Sequence, residues 1–316
     1  MKLNPQGNAL EENEYQKYEK GIQEILATPE LLKETKYQEK VNDVLRAIEQ
    51  GFLRVVSPPH KRADCGDVDM SGDLMNWTVH NFVKESILLA MKMRRTQTFF
   101  TNSLSTSTLS QQERPFAGTY AYHDKFDMQN LGLGDQGVRC VYGSIVREGC
   151  YVSPNTIMMP SFVNLGAWIG EGTMMDTWST AGSCAQIGRH VHIAGGVGIG
   201  GVLEPVNNRP VMIGDHAFIG SRAILVEGVC VSSRAVIGAN VCLTASTPIY
   251  DMTTSEKKEY RGFVPENAVV ANGTRLKKFP GGEAPLQCAY IIAYRSNKTD
   301  AKVSLNHILR ETGLSV

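Results

Sequence analysis

The residues that could do chemistry sit in the middle of a 316-residue chain. In Met174-Met175-Asp176-Thr177-Trp178 an acid stands among large apolar neighbours. That setting suits a base or an anchor for an amine, and equally a plain corner carboxylate. Arg139, in GVRCVYG, has the planar fork that grips a carboxylate through two parallel bonds, although most surface arginines are only solvated. Glu204, before Pro205, has the same standing. His190 and His192 flank Val191, and alternate positions can converge on a metal. No third ligand is near in sequence, so no metal is expected. One histidine acting as a base and simple corner packing are the other readings, and packing is the simpler. Gly196-Val197-Gly198-Ile199-Gly200-Gly201 matches G-x-G-x-x-G, but a dinucleotide fingerprint must follow a strand and open a helix. Here it runs into LEPVNNRP, which cannot start one cleanly. Glycines at tight corners, or bare backbone for a ligand to approach, fit better.

These residues need something to position them, and the spacing of apolar residues supplies it. From 145 to 254 an aliphatic or apolar residue returns every six positions. The series runs Ile145, Tyr151, Ile157, Val163, Ile169, Met175, Ala181, Ile187, Ile193, Ile199, breaks at 205–212, and resumes with Ile213, Ile219, Leu225, Val231, Ile237, Leu243, Ile249. Four positions after many of these comes a small or branched residue, such as Thr173, Ser179, Ala185 and Val191. A period of six is not helical. It is the hexapeptide repeat of a parallel β-helix, in which a two- or three-residue strand crosses a flat face and a tight turn leads to the next. Three hexads close one triangular coil, and coils must stack to bury their interior. Hexads of this kind belong to left-handed coils, an exception to the right-handed crossover rule that comes with the fold type. Asp176, directly after Met175, therefore faces outward at a corner.

The flanks read differently. Tyr15, Tyr18, Ile22, Ile25 and Leu26, then Val41, Val44, Leu45 and Ile48, follow helical spacing. Two helices are expected, broken near Thr28-Pro29 with Pro29 opening the second after a threonine cap, and Gly51 ending it. FLRVV (52–56) suits a short strand, and a third helix is expected over about 77–95. Residues 101–115 read as a loop or an arm. LQCAYIIAY (286–294) is a strand candidate, and SLNHILRE (304–311) a capping helix that would shield open β-edges. The expected organisation is a mainly β chain: a helical N-terminal domain over 1–105, a linker or arm over 106–136, a left-handed parallel β-helix over 137–275, and a C-terminal strand and capping helix over 276–316.

Composition narrows the function classes. Lys plus Arg is 32 and Asp plus Glu is 32, so no electrostatic footprint points to nucleic acid or an anionic membrane. No apolar run reaches transmembrane length, and MKLNPQGNALEENEY lacks a signal region, so the cytosol is the expected compartment. Seven widely spaced cysteines without C-x-x-C support neither a disulfide framework nor a zinc site, and are expected to pack as reduced thiols.

Longer strings are more selective than the hexads. MPSFVN, GTMMDTW, GSCAQIG and GGVGIGGVLEP, with IGSRAILVEGV and the ending KTDAKVSLNHILRE, resemble the tetrahydrodipicolinate N-succinyltransferase family. The likeness covers roughly 137–310. It implies a homotrimer of left-handed β-helices, with succinyl-CoA as co-substrate in a groove between adjacent prisms. It implies transfer of the succinyl group to the amine of hydrated, ring-opened tetrahydrodipicolinate. Family members bind this acceptor with an Arg and an Asp matching Arg139 and Asp176, and Asp176 would position the amine and accept its proton. Backbone N–H groups at glycine corners would stabilise the oxyanion. By position, Gly220, Gly238 and Ala239 on later coils and Lys298 and Lys302 near the tail would contact CoA. One departure stands out. The family pattern R-S-E-V-V-E-G has a functional Glu where this chain has Ile224, in Arg222-Ala223-Ile224-Leu225-Val226-Glu227-Gly228. Either Glu227 or Glu204 substitutes, or that Glu is dispensable, or activity is lost. The alternatives are therefore an acetyl-CoA-dependent sister enzyme and a catalytically silent β-helix scaffold.

Overall fold

The computed structural model describes residues 12–59, 61, 63, 66–102, 119–129 and 137–295. Its centre is a left-handed parallel β-helix whose two-residue strands stack into three walls. The middle wall carries 139–140, 157–158, 174–175, 192–193, 218–219 and 236–237; the chain then turns to the open wall at 145–146, 162–163, 180–181, 198–199, 224–225 and 242–243. From there it turns to the covered wall at 151–152, 168–169, 186–187, 212–213, 230–231 and 263–264. One residue of each strand points in: Val163, Ile169, Met175, Ala181, Ile187, Ile193 and their successors are fully buried or nearly so. The small residues four positions on, Thr173, Ser179, Ala185 and Val197, are buried beside them, because the corner is where the triangle is narrowest.

The register departs from the sixfold series at its start. Val146, Val152 and Met158 point inward, while Ile145 is 37% exposed and Tyr151 and Ile157 face outward. The cause is a shortened corner after Met158. Phe162 pairs with Ile145 below and Thr180 above, and the lower partner is one residue nearer in sequence.

Three helices cover one wall. α1 (Glu12–Ala27), α2 (Thr35–Glu49) and α3 (Asn81–Met93) bury apolar faces against one another and against Leu165, Cys184, Met212 and Cys230. Pro29 opens a separate 3₁₀ turn, Pro29–Lys33, instead of α2, and Thr28 makes no side-chain cap bond. Gly51 ends α2 at φ +72, where any Cβ would strike the Tyr151 ring. The third helix is shorter than its apolar pattern suggests, because Thr78–Val79 pairs with Val56–Ser57 in a small antiparallel ladder. Gln97–Asn102 and Thr119–Asp124 form another antiparallel pair.

Arg54 rivets the helical domain to the covered wall. It is 1% exposed, lies 4.5 Å above the Trp168 ring and 5.6 Å from Trp77, and its Nε donates to Gln186 Oε1 at 3.1 Å. Above the prism, Pro248–Asp251 pairs with Lys258–Arg261, so the charged stretch after Ile249 is a hairpin. Val264 and Val270 return to the core, but Ala268–Phe279 then runs straight out and pairs with Gly282–Tyr294 in a long antiparallel hairpin. The expected helix 304–311 lies outside the described residues.

A second rivet is acidic. Asp215, 6% exposed at a corner, accepts Arg189 N–H at 2.8 Å and Met70 N–H at 3.2 Å, and shares a hydrogen bond with Asp69 of the helical domain. Burial, with Asp69 close by, pushes its carboxyl up to about 6. The folded state therefore binds this proton at a higher pH than the unfolded chain does. This group adds stability as pH falls through that value, and the gain is gone at pH 7. Asp215→Asn is expected to flatten the stability profile between pH 7 and 5 by about 1 kcal/mol, read as denaturant midpoints at the two pH values.

Candidate active site

The three corners of each coil form three edges, and the acidic candidates divide between two of them. Arg139 lies on the middle wall, and Asp176 opens the corner where that wall turns into the open wall. Arg139 is exposed on the first strand and pairs with Ile157, which pairs with Met174, so Asp176 stands two coils above it. The Asp176 backbone N–H donates to Ile193 O at 2.8 Å, fixing the corner. Its Oδ1 accepts Thr177 N–H at 2.6 Å and the Thr177 hydroxyl at 3.2 Å. Oδ2 has no hydrogen-bond partner among the described residues. The carboxylate is thus half-buried, oriented by one oxygen and open to a ligand by the other.

Gly220, Gly238 and Ala239 lie on the same edge on later coils. Their amides do not match the role of oxyanion donors or ligand contacts equally. Gly220 N–H donates to Ile237 O at 2.7 Å and Gly238 N–H to Val270 O at 2.8 Å, so the coil ladder uses both. A Cβ on Gly220 would lie 2.6 Å from Ala239 N, so coil stacking already requires glycine there. Both glycines are buried, and of the three only Ala239 is exposed. Lys298 and Lys302 lie outside the described residues.

Glu204 and Glu227 are brought together on the next edge, between the open and covered walls. Both are exposed and line a cavity of ≈ 790 Å³ together with Arg209 and Arg261. Glu227 takes the corner position at φ +57, and its Oε2 accepts Ala245 N–H at 3.3 Å. The excursion carrying Glu204 is held by the helical domain. Lys84 of α3 is fully buried and donates from Nζ to Asn208 O at 2.6 Å, and Arg209 donates to Met75 O. Burial holds the Lys84 ammonium below its ordinary pKa. Sequence patterns pass over these two basic residues, since a lysine on an amphipathic helix ordinarily reads as solvated.

The histidines separate. His190 stacks on His216 at 5.1 Å on the third edge, and His192 stacks on Phe218 at 5.0 Å on the middle wall. The glycines of 196–201 turn two corners around Gly198–Ile199, and no helix follows them. Cys150, Cys184, Cys230 and Cys288 are buried, and Cys140 and Cys242 half-buried, as free thiols. Ile224 points outward on the open wall at 44% exposure, between core residues Ala223 and Leu225. A family glutamate there would stand on that wall. Among the described residues no helix is long and apolar enough to cross a membrane.

Comparison with known proteins gives this geometry its family. A model described as the hexapeptide repeat of succinyl-transferase matches residues 210–245. A 2,3,4,5-tetrahydropyridine-2,6-dicarboxylate N-succinyltransferase of Dechloromonas aromatica is 38% identical over 275 residues, covering 85% of this chain and 89% of that protein. The chain belongs to this N-succinyltransferase family. Proteins of the same name from Xylella fastidiosa and Rhodopseudomonas palustris are 39% and 42% identical, over 85% and 74% of this chain and 87% and 81% of theirs. A solved putative 2,3,4,5-tetrahydropyridine-2-carboxylate N-succinyltransferase from Campylobacter jejuni is 14% identical with a TM-score of 0.44, covering 80% of this chain and 62% of that one.

Proposed function

We propose that this chain is a cytosolic enzyme that moves the succinyl group of succinyl-CoA to the amine of hydrated, ring-opened tetrahydrodipicolinate, releasing CoA. The observation that carries the reading is an oriented Asp176 at the corner of the wall that bears Arg139, beside a second wall that no described residue covers. Arg139 holds an acceptor carboxylate through its fork. Asp176 orients the amine and takes its proton as the nitrogen attacks the thioester carbon. The tetrahedral adduct then expels the thiolate of CoA. Holding both reactants on one edge removes much of the entropic cost of the encounter.

The working unit is a homotrimer. The open wall keeps apolar Ile145 and Ile224 exposed, whereas helices bury the covered wall. Three prisms that turn this wall to a common axis bring the Asp176 edge of one copy next to the Glu204–Glu227 edge of the next. A neighbour thereby supplies the acid that Ile224 does not. Glu204→Gln is expected to lower kcat about 10²- to 10⁴-fold, a typical loss for a general acid–base. Glu227→Gln should give the smaller loss, because its carboxylate already serves Ala245 N–H. The reverse order would transfer the role to Glu227.

The deciding assay follows free thiol from succinyl-CoA with and without the cyclic acceptor. Release that requires the acceptor is the expected result. Faster release from acetyl-CoA would make the chain an acetyltransferase. No release from either donor would make it a silent scaffold, the reading that Ile224 favours.

A further inference from the structure

The shortened corner that shifts the register lies on the site edge. In the full corners of this edge the third residue takes the left-handed conformation: Gly143 at φ +92, Trp178 at +61, Gly196 at +71, Arg222 at +60 and Asn240 at +59. Between Met158 and Phe162 that residue is missing, and Pro160 O accepts Trp178 N–H directly at 2.6 Å. The edge therefore has a step cut into it, one coil below Asp176 and one coil above Tyr142. Large aromatics flank the step. Tyr142 is 77% exposed and Trp178 is 74% exposed, in a chain whose other tryptophans, Trp77 and Trp168, are 6% and 1% exposed. Trp178 shares its left-handed φ with the third residue of the other full corners, so the corner geometry itself turns this large side chain outward.

The spacing suits a ligand. Tyr142 and Trp178 are two coils apart, about 9–10 Å at the usual strand separation. That is enough to hold a short carbon chain between two aromatic walls. Arg139 lies three residues before Tyr142, and Asp176 two residues before Trp178, so the step has a cation at its lower end and a carboxylate at its upper end. Above Trp178 its own column continues with Gly196, which has no side chain to cover it.

We infer that the missing corner residue opens a slot walled by Tyr142 and Trp178, and that the acceptor's carbon skeleton lies in it with Trp178 as its main apolar contact. This rests on the activity proposed above. The slot would select a short, open-chain dicarboxylate, gripped at one end by Arg139, with its amine delivered to Asp176.

The test uses the assembled wild-type protein first. Because Trp77 and Trp168 are buried, acrylamide should quench mainly Trp178, and the acceptor added without acyl donor should protect it. Quenching that ignores the acceptor overturns the slot. So does Trp178 already shielded before any ligand is added, which would mean that a neighbouring copy covers it. Kinetics then separate binding from folding. Trp178→Ala should raise the acceptor KM about tenfold or more while the succinyl-CoA KM moves less than about threefold, with Trp178→Phe recovering most of the loss. An unchanged acceptor KM, in a variant that elutes like wild type on size exclusion, overturns the inference. Wild-type protein that releases no thiol would refute the activity itself; wild-type turnover with unresponsive Trp178 would refute only the slot.

Discussion

Asp176→Asn should abolish turnover while leaving the prism and its assembly intact. The asparagine side chain is nearly isosteric with the carboxylate it replaces. Its carbonyl can still accept the Thr177 N–H bond that now measures 2.6 Å, so the corner keeps its geometry. What changes is the other branch. Oδ2, the oxygen left for the ligand, becomes an NH₂ group that donates and cannot take a proton. It would point a donor at an amine that must itself donate. A positioned general base is worth about 10²–10⁴ in rate, so kcat should fall by that factor. Far-UV circular dichroism and size-exclusion elution should not move. A variant retaining more than about a tenth of wild-type kcat would remove Asp176 from the proton's path. The comparison with Arg139→Leu is informative, because loss of a carboxylate grip should appear first in the acceptor KM.

The corner position of Asp176 was legible from the repeat alone, whereas Arg139 could be placed only at the entrance to the first coil, its partnership with Asp176 being implied by the family resemblance. Asp176 follows a core residue by one position, and in a sixfold register that is always the start of a corner. Arg139 takes the outward position of a middle-wall strand, in the column of Ile157 and Met174 that leads into that corner. What the repeat could not give has identifiable causes. Each strand is two residues long, and in Ile145-Val146, Tyr151-Val152 and Ile157-Met158 both are apolar. Hydrophobicity therefore cannot say which of the two points inward. Tyr151 is apolar and outward because helices cover that wall, and its ring lies 4.2 Å from that of Trp168. A one-residue deletion at the Met158 corner is invisible to a pattern that tolerates either choice. Glu204 was legible only as an acid beside a break, since the path of the excursion depends on Lys84 and Met75, far away in sequence. The shared edge of Gly220 and Gly238 followed from the register, but the use of their amides did not: ladder bonds depend on which coil lies above.

Arg54→Ala should cost about 3–5 kcal/mol of stability, through a mechanism no sequence pattern announces. A guanidinium that is 1% exposed has lost its water, and its contacts among the described residues include aromatic rings and neutral acceptors. The Trp168 and Trp77 rings offer π faces at 4.5 and 5.6 Å, an interaction worth about 2 kcal/mol or more when desolvated. Gln186 Oε1, Gly66 O and Met70 Sδ take its N–H groups. Alanine would leave a cavity the size of the whole side chain between helices and prism, and would strand the buried Gln186 oxygen without this donor. Arg54→Met separates the two costs. It fills most of the space and carries no charge to desolvate, so it should recover at least half of the lost stability, as buried ionic groups often yield to apolar ones of similar volume. Guanidinium titrations followed by the emission of Trp77 and Trp168 would report this contact directly, because both rings flank the site. If alanine and methionine lose equally, the charge itself holds the two parts together. If alanine loses less than about 1 kcal/mol, the helical domain is attached by its apolar face alone and Arg54 is a passenger.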